Sequence, residues 1–134
     1  MNKSNLQKMA DYIKTIPQEQ FDMKKYRSTH DSYSHECNSV GCVIGHCIIL
    51  EEESSVMNLP LSSHPHGGID FTRWSERFTG LHRTSKEWDW CFTDDWSLFD
   101  NTPPGASKRI EYMLKYGVPS DFDVPMQADV DLYN

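Results

Sequence analysis

A chain of 134 residues suits one domain and can bury roughly two-thirds of its unfolded surface, so its core needs no metal or disulfide staple. Its 20 acidic side chains outnumber 13 basic ones, for a net charge of −7, and the basic ones do not cluster. That balance argues against DNA, RNA and anionic membranes, which need grouped Lys and Arg to release counterions, and no apolar run approaches the ~20 residues of a membrane span.

Ser4 to Ile16 predicts the first helix. Ser4 with Gln7 fits a capping box, and Leu6, Met9, Ala10, Ile13 and Ile16 recur at helical spacing. Pro17 ends the pattern, because its ring cannot continue the hydrogen-bond ladder. Residues 18–36 are polar and irregular, with Phe21, Met23 and Tyr26 as anchors onto a core. Ser39 to Leu50 is the most apolar stretch. Val40, Val43, Ile44, Cys47 and Ile48 make one face, and Cys42, Ile49 and Leu50 make the other apolar as well. A helix apolar all round belongs at the centre of a core. Ser39 is its expected N-cap, and Glu51, Glu52 and Glu53 oppose the negative end of its dipole, so it should stop by about residue 51. A buried strand is the competing reading, since Val and Ile are β-branched, but twelve residues favour a helix.

Residues 54–69 are rich in turn formers and read as a loop ending in His64-Pro65-His66-Gly67-Gly68. Asp70 then caps a helix carrying Phe71, Trp74, Phe78 and Leu81, with Gly80 placed to end it. Trp88, Cys91 and Phe92 suggest a further short helix, with Trp96 and Phe99 packing beyond it. Thr102 to Tyr116 is the clearest element. Thr102 caps it, Pro103 takes the first helical position, and Gly117 with Pro119 ends it. Ala106, Ile110, Met113 and Leu114 are expected inward; Lys108, Arg109 and Lys115 outward. Residues 117–134 are acidic and weakly periodic, a tail or a wrap over the surface. The fold class that follows is all-α, a single domain over 1–134 of about five helices around the 39–50 helix.

Two stretches resemble a group of small uncharacterised proteins of tailed phages, prophages and bacteria. Cys37-Asn38-Ser39-Val40-Gly41-Cys42-Val43-Ile44-Gly45-His46 is similar to that group's Cys-Gly-Thr-x-x-Cys-x-x-Gly-His segment, with Asn38 and Ser39 in place of Gly and Thr. Thr102-Pro103-Pro104-Gly105-Ala106-Ser107-Lys108-Arg109-Ile110 resembles its Thr-Pro-x-x-Ala-x-x-Arg-Ile helix start. The likeness touches about half the chain. It implies a helical fold and a phage-like setting, and it carries no established activity or functional residue.

Cys37, Cys42, Cys47 and Cys91 follow no apolar leader and are read as cytosolic thiols, so the cytoplasm, that of the host for a phage protein, is the expected location. Cys42 and His46 are four apart, on one helix face. With Cys37 as a third ligand they could hold zinc, and Cys91 or a distant His could complete the set. The alternative, preferred here, treats the thiols as small hydrophobes in a packed helix, with no cofactor. Cys37 with His46, His35 or His82 as base is a thiol–imidazole nucleophile; an inert thiol is the commoner outcome. The histidines flanking Pro65 point apart, which favours a plain exposed turn over a metal site.

The acidity sits in the C-terminal half. Segments 86–101 and 117–134 each sum to −4, leaving the remainder at +1. Within the first, Trp88, Trp90, Asp94, Asp95 and Trp96 form the candidate binding surface. Three tryptophans in nine residues exceed what one buried stripe needs, so at least one, Trp90 first, is expected at the surface, against the alternative of a helix that buries Trp88 and Phe92 while its acids face water. No phosphate loop, HExxH or GxSxG motif appears. The leading expectation is a phage-type accessory protein that binds, and inhibits, a host or anti-phage defence protein with a basic, nucleic-acid-binding surface. The rivals are a small-molecule or nucleotide binder or Cys/His hydrolase with a pocket beside the 39–50 helix, and a zinc-stabilised module.

Overall fold

The computed structural model describes residues 1–24, 42–50 and 71–134, and these are mostly helical. Helix α1 spans Lys3–Ile13 and is capped by Asn2, whose Oδ1 accepts from the Asn5 N–H at 3.0 Å. Asn is among the strongest N-caps. Ser4 therefore falls inside the first turn, and Gln7 reaches Asp11 (3.0 Å) and Glu111 (3.2 Å) instead of closing a capping box.

Helix α2 is shorter than the apolar stretch suggests. It covers Val43–Cys47, and a 3₁₀ turn follows over Ile48–Leu50. Its N-cap is Cys42, in extended conformation (φ −85°, ψ −173°), which rules out one helix running from Ser39 to Leu50. β-Branched residues and a glycine hold little helical propensity of their own, so packing sets the length. Val43, Ile44, Cys47 and Ile48 are fully buried. Ser39, Gly41, Glu51 to Glu53, the 54–69 loop and Asp70 lie outside the described residues.

Helix α3 (Phe71–Thr79) ends at Gly80, whose φ of +72° suits glycine. The start of the chain is tied there: the Asn2 N–H donates to the Thr79 carbonyl (2.6 Å), and Asn5 Nδ2 to the Phe78 carbonyl (2.8 Å). Helix α4 (Lys86–Phe92) starts at Ser85, whose Oγ accepts from the Trp88 N–H at 3.1 Å. Glu87 and Asp89 in its first turn favour the positive end of its dipole. Thr93 is extended, and a 3₁₀ turn occupies Asp94–Leu98. Helix α5 (Pro103–Tyr116) is capped by Thr102 and stopped by Gly117, φ +81°. Helix α6 (Gln127–Tyr133) closes the described chain, with Phe122, Pro125, Val130 and Tyr133 buried, so the acidic stretch 117–134 is anchored by apolar side chains.

Among the described residues helix α1 lies along α5 in the most extensive helix pairing, with Ser107 Oγ donating to the Ala10 carbonyl (2.8 Å) inside the contact. Helices α4 and α6 pack on α5, and α2 packs on α1 and α3. Between α4, α5 and α6 sits an aromatic hub. Trp90 meets Trp96, Phe122 and Tyr133 edge-on, with centroids 5.5, 5.1 and 6.1 Å apart. Each such pair adds about 0.5–1.5 kcal/mol beyond burial.

Arg109, expected to face outward, is wholly buried in this hub. Its guanidinium lies over the Trp96 ring at 4.4 Å. Its Nη1 donates to Tyr133 Oη (2.9 Å) and to the Asp100 carbonyl (3.2 Å), and the Tyr133 hydroxyl donates to Asp100 Oδ2 (2.9 Å). Nε and Nη2 of Arg109 have no hydrogen-bond partner among the described residues. Burial pulls the guanidinium's pKa down, while Tyr133 and Asp100 pull it back up. Gly105 makes room for the carboxylate: a Cβ there would come within 2.0 Å of Asp100 Oδ2.

Candidate functional site

Trp90 and Trp96 are fully buried and present nothing to a partner, contrary to the expected surface. Each indole N–H is already used: Trp90 Nε1 donates to the Arg109 carbonyl (2.7 Å) and Trp96 Nε1 to the Trp90 carbonyl (2.8 Å). A buried indole satisfied by backbone is a structural group. Trp88, two residues before Trp90, sits on another face of α4 and is half-buried. Its Nε1 donates to Ser75 Oγ (2.9 Å), and its ring meets Phe92, one turn on, edge-to-face at 5.6 Å.

Trp88 and Phe92 form one wall of a cleft of about 240 Å³, further lined by Thr93 and Asp94, by Met23 and Lys24, and by Cys42. Three sequence candidates, Cys42, Trp88 and Asp94, therefore meet at one concavity beside α2. The Met23–Lys24 side is set by Asn101, the residue before the α5 cap. Its Oδ1 accepts from the Met23 N–H (2.7 Å), and its Nδ2 donates to Asp22 Oδ1 (3.3 Å), which also accepts from the Lys24 N–H (3.0 Å). Lys24 and Thr93 carry no sequence signal for this role, because the contact that places Met23–Lys24 spans 78 residues.

The acidic candidates Asp94 and Asp95 are exposed. Asp89 is part-buried near Asp95 and Asp123; burial first, and then those two carboxylates, push its carboxyl above its ordinary value. Asp89 on α4, Asp95 in the 3₁₀ turn and Asp123 in the 117–126 connection thus lie within electrostatic reach of one another, while Asp94 lines the cleft. Lys86 Nζ donates to the Ser120 carbonyl (3.2 Å) in the same region.

The three described thiols, Cys42, Cys47 and Cys91, sit where chemistry is suppressed. Cys42 holds the N-cap of α2, where the N–H groups of Ile44 and Gly45 favour a thiolate, yet burial outweighs them and pushes its pKa to about 11. Burial likewise pushes Cys47 and Cys91 well up. Cys47 Sγ lies 3.8 Å from the Met9 carbonyl, and Cys91 Sγ 3.7 Å from Met113 Sδ. His46 Nε2 bonds the Gln20 carbonyl, so that nitrogen carries the proton and offers no lone pair to a metal. His82 pairs with Thr84 (2.8 Å) and Glu76 (3.6 Å) after α3. Among the described residues no three His, Cys, Asp or Glu side chains converge as a metal site. Cys37, His35, His64 and His66 lie outside the described residues.

No protein-family model, curated protein or solved structure matches the chain. Among the described residues no helix is long and apolar enough to cross a membrane.

Proposed function

We propose that the chain acts by binding, as an accessory protein of phage type, with its acidic edge set against a basic face of a host or defence protein. The observation that carries this reading is the proximity of Asp95 and Asp123 to Asp89, with Asp94, the neighbour of Asp95 in the chain, exposed on the wall of an aromatic cleft. Like charges held together cost folding stability, and a basic partner relieves that cost while gaining a complementary field. A surface that itself binds nucleic acid has the matching charge. The described thiols, Cys42, Cys47 and Cys91, point the same way, since protonated, buried sulfur is a poor nucleophile and a poor ligand. The phage setting rests on the resemblance of the 37–46 and 102–110 segments.

The test is capture from a bacterial host lysate on immobilised chain, with an Asp94→Lys/Asp95→Lys variant beside it. A specific protein held at low salt, released near 1 M salt where the screening length falls to ~3 Å, and absent from the variant column is the expected result. Equal capture by the variant would overturn the reading.

A further inference from the structure

We propose that the cleft beside α2 is a binding site for a small aromatic zwitterion, of the size and charge pattern of a free aromatic amino acid. The inference shares Asp94 with the acidic edge but needs no protein partner there, and Lys24 belongs to it alone. Three observations set the ligand class.

The first is size. About 240 Å³ lies below the roughly 300 Å³ at which drug-sized ligand pockets begin, and it suits a body of one ring with a short polar head. The second is the wall. Trp88 and Phe92 offer aromatic surface, and Met23 and Cys42 add polarizable sulfur, a combination that favours an aromatic ring over a saturated chain. The third is charge. Lys24 and Asp94, the two charged groups among the described lining residues, are of opposite sign, so a ligand with one ammonium and one carboxylate satisfies both.

A nucleotide fits poorly. Its phosphates would meet one ammonium and face Asp94, with Asp95 next along the chain. The walls are also pre-set. Trp88 is fixed by its bond to Ser75, and the Met23–Lys24 backbone by Asn101 and Asp22, so the ordering left to the ligand falls on exposed side chains such as Lys24.

Calorimetric titration of the full chain tests this, with L-phenylalanine as probe beside 2-phenylethylamine, 3-phenylpropionate and AMP. L-Phenylalanine is expected to bind most tightly of the four. Asp94→Asn is expected to weaken it about tenfold without weakening 3-phenylpropionate, and Lys24→Met to weaken it about tenfold without weakening 2-phenylethylamine. Both side chains are exposed, so circular dichroism should show both variants folded. No heat with L-phenylalanine at millimolar concentration, as for a cleft already filled by the chain itself, would overturn the proposal. So would tighter binding of AMP, or an unchanged L-phenylalanine affinity in both variants.

Discussion

Residues 88–96 contribute to two regions of opposite character. Trp90 and Trp96 enter a dry hub with Arg109 and Tyr133 and are wholly buried, whereas Trp88 and Asp94 line an open cleft and Asp95 is exposed to water. On a helix two residues are ~200° apart at ~100° per residue, so Trp88 and Trp90 cannot serve the same face. A segment dense in aromatics and acids is therefore a seam between core and surface. Its composition alone does not say which tryptophan belongs to which side.

The inner region should fail first and hardest. Arg109→Ala leaves the Asp100 carboxylate without its buried cation and empties the space over Trp96. Urea unfolding is expected to show a loss of about 3–5 kcal/mol, the usual consequence of breaking a buried pair from one side. Gly105→Ala attacks the same network through sterics. In an ordinary exposed helix this change gains up to about 1 kcal/mol. Here the new Cβ would collide with the Asp100 carboxylate, and a loss of about 1–3 kcal/mol is expected. A gain would mean that the carboxylate moves freely and that the hub is not rigid.

The outer region should respond weakly and with the opposite sign. Burial, with Asp95 and Asp123 nearby, holds the folded-state Asp89 carboxyl above its ordinary value of 3.8. Just above that value the folded state holds more protons than the unfolded one, so Asp89's contribution to stability improves as pH falls and is a net cost at neutral pH. Asp89→Asn should raise stability at pH 7 by about 0.5 kcal/mol after solvent screening. The gain should shrink as pH approaches 3.8 and vanish below it. Thermal melts across that range check the sign, and the same variant should bind a basic partner less well.

Much of the helical frame was legible in the sequence, for reasons that remain local. Thr102, Pro103 and Gly117 bound α5 where the capping rules place it, and Gly80 ends α3. The misreadings share a cause in long-range contact. Arg109 looks like an outward basic residue on α5 until Tyr133, 24 residues later, folds back to accept its Nη1 hydrogen. Asn2 outcompetes Ser4 as cap of α1 while its own N–H is held by Thr79. The apolar 39–50 stretch reads as one long rod, yet Cys42 is extended and the α-helix is five residues long. Of the candidate site, Trp88, Asp94, Asp95 and Cys42 were marked by residue type. The meeting of Cys42, Trp88 and Asp94 with Lys24 depends on an Asn101 hydrogen bond that no local pattern announces.

The division of one segment into a buried half and a contacting half is tested most directly by fluorine NMR of the chain labelled with fluorotryptophan. Each of the four tryptophans then gives its own resonance. On exchanging water for heavy water, Trp88 should show the solvent isotope shift, while Trp74, Trp90 and Trp96, each at most 2 % exposed, should not. A solvent shift at Trp90 or Trp96 with Trp88 silent would contradict the account.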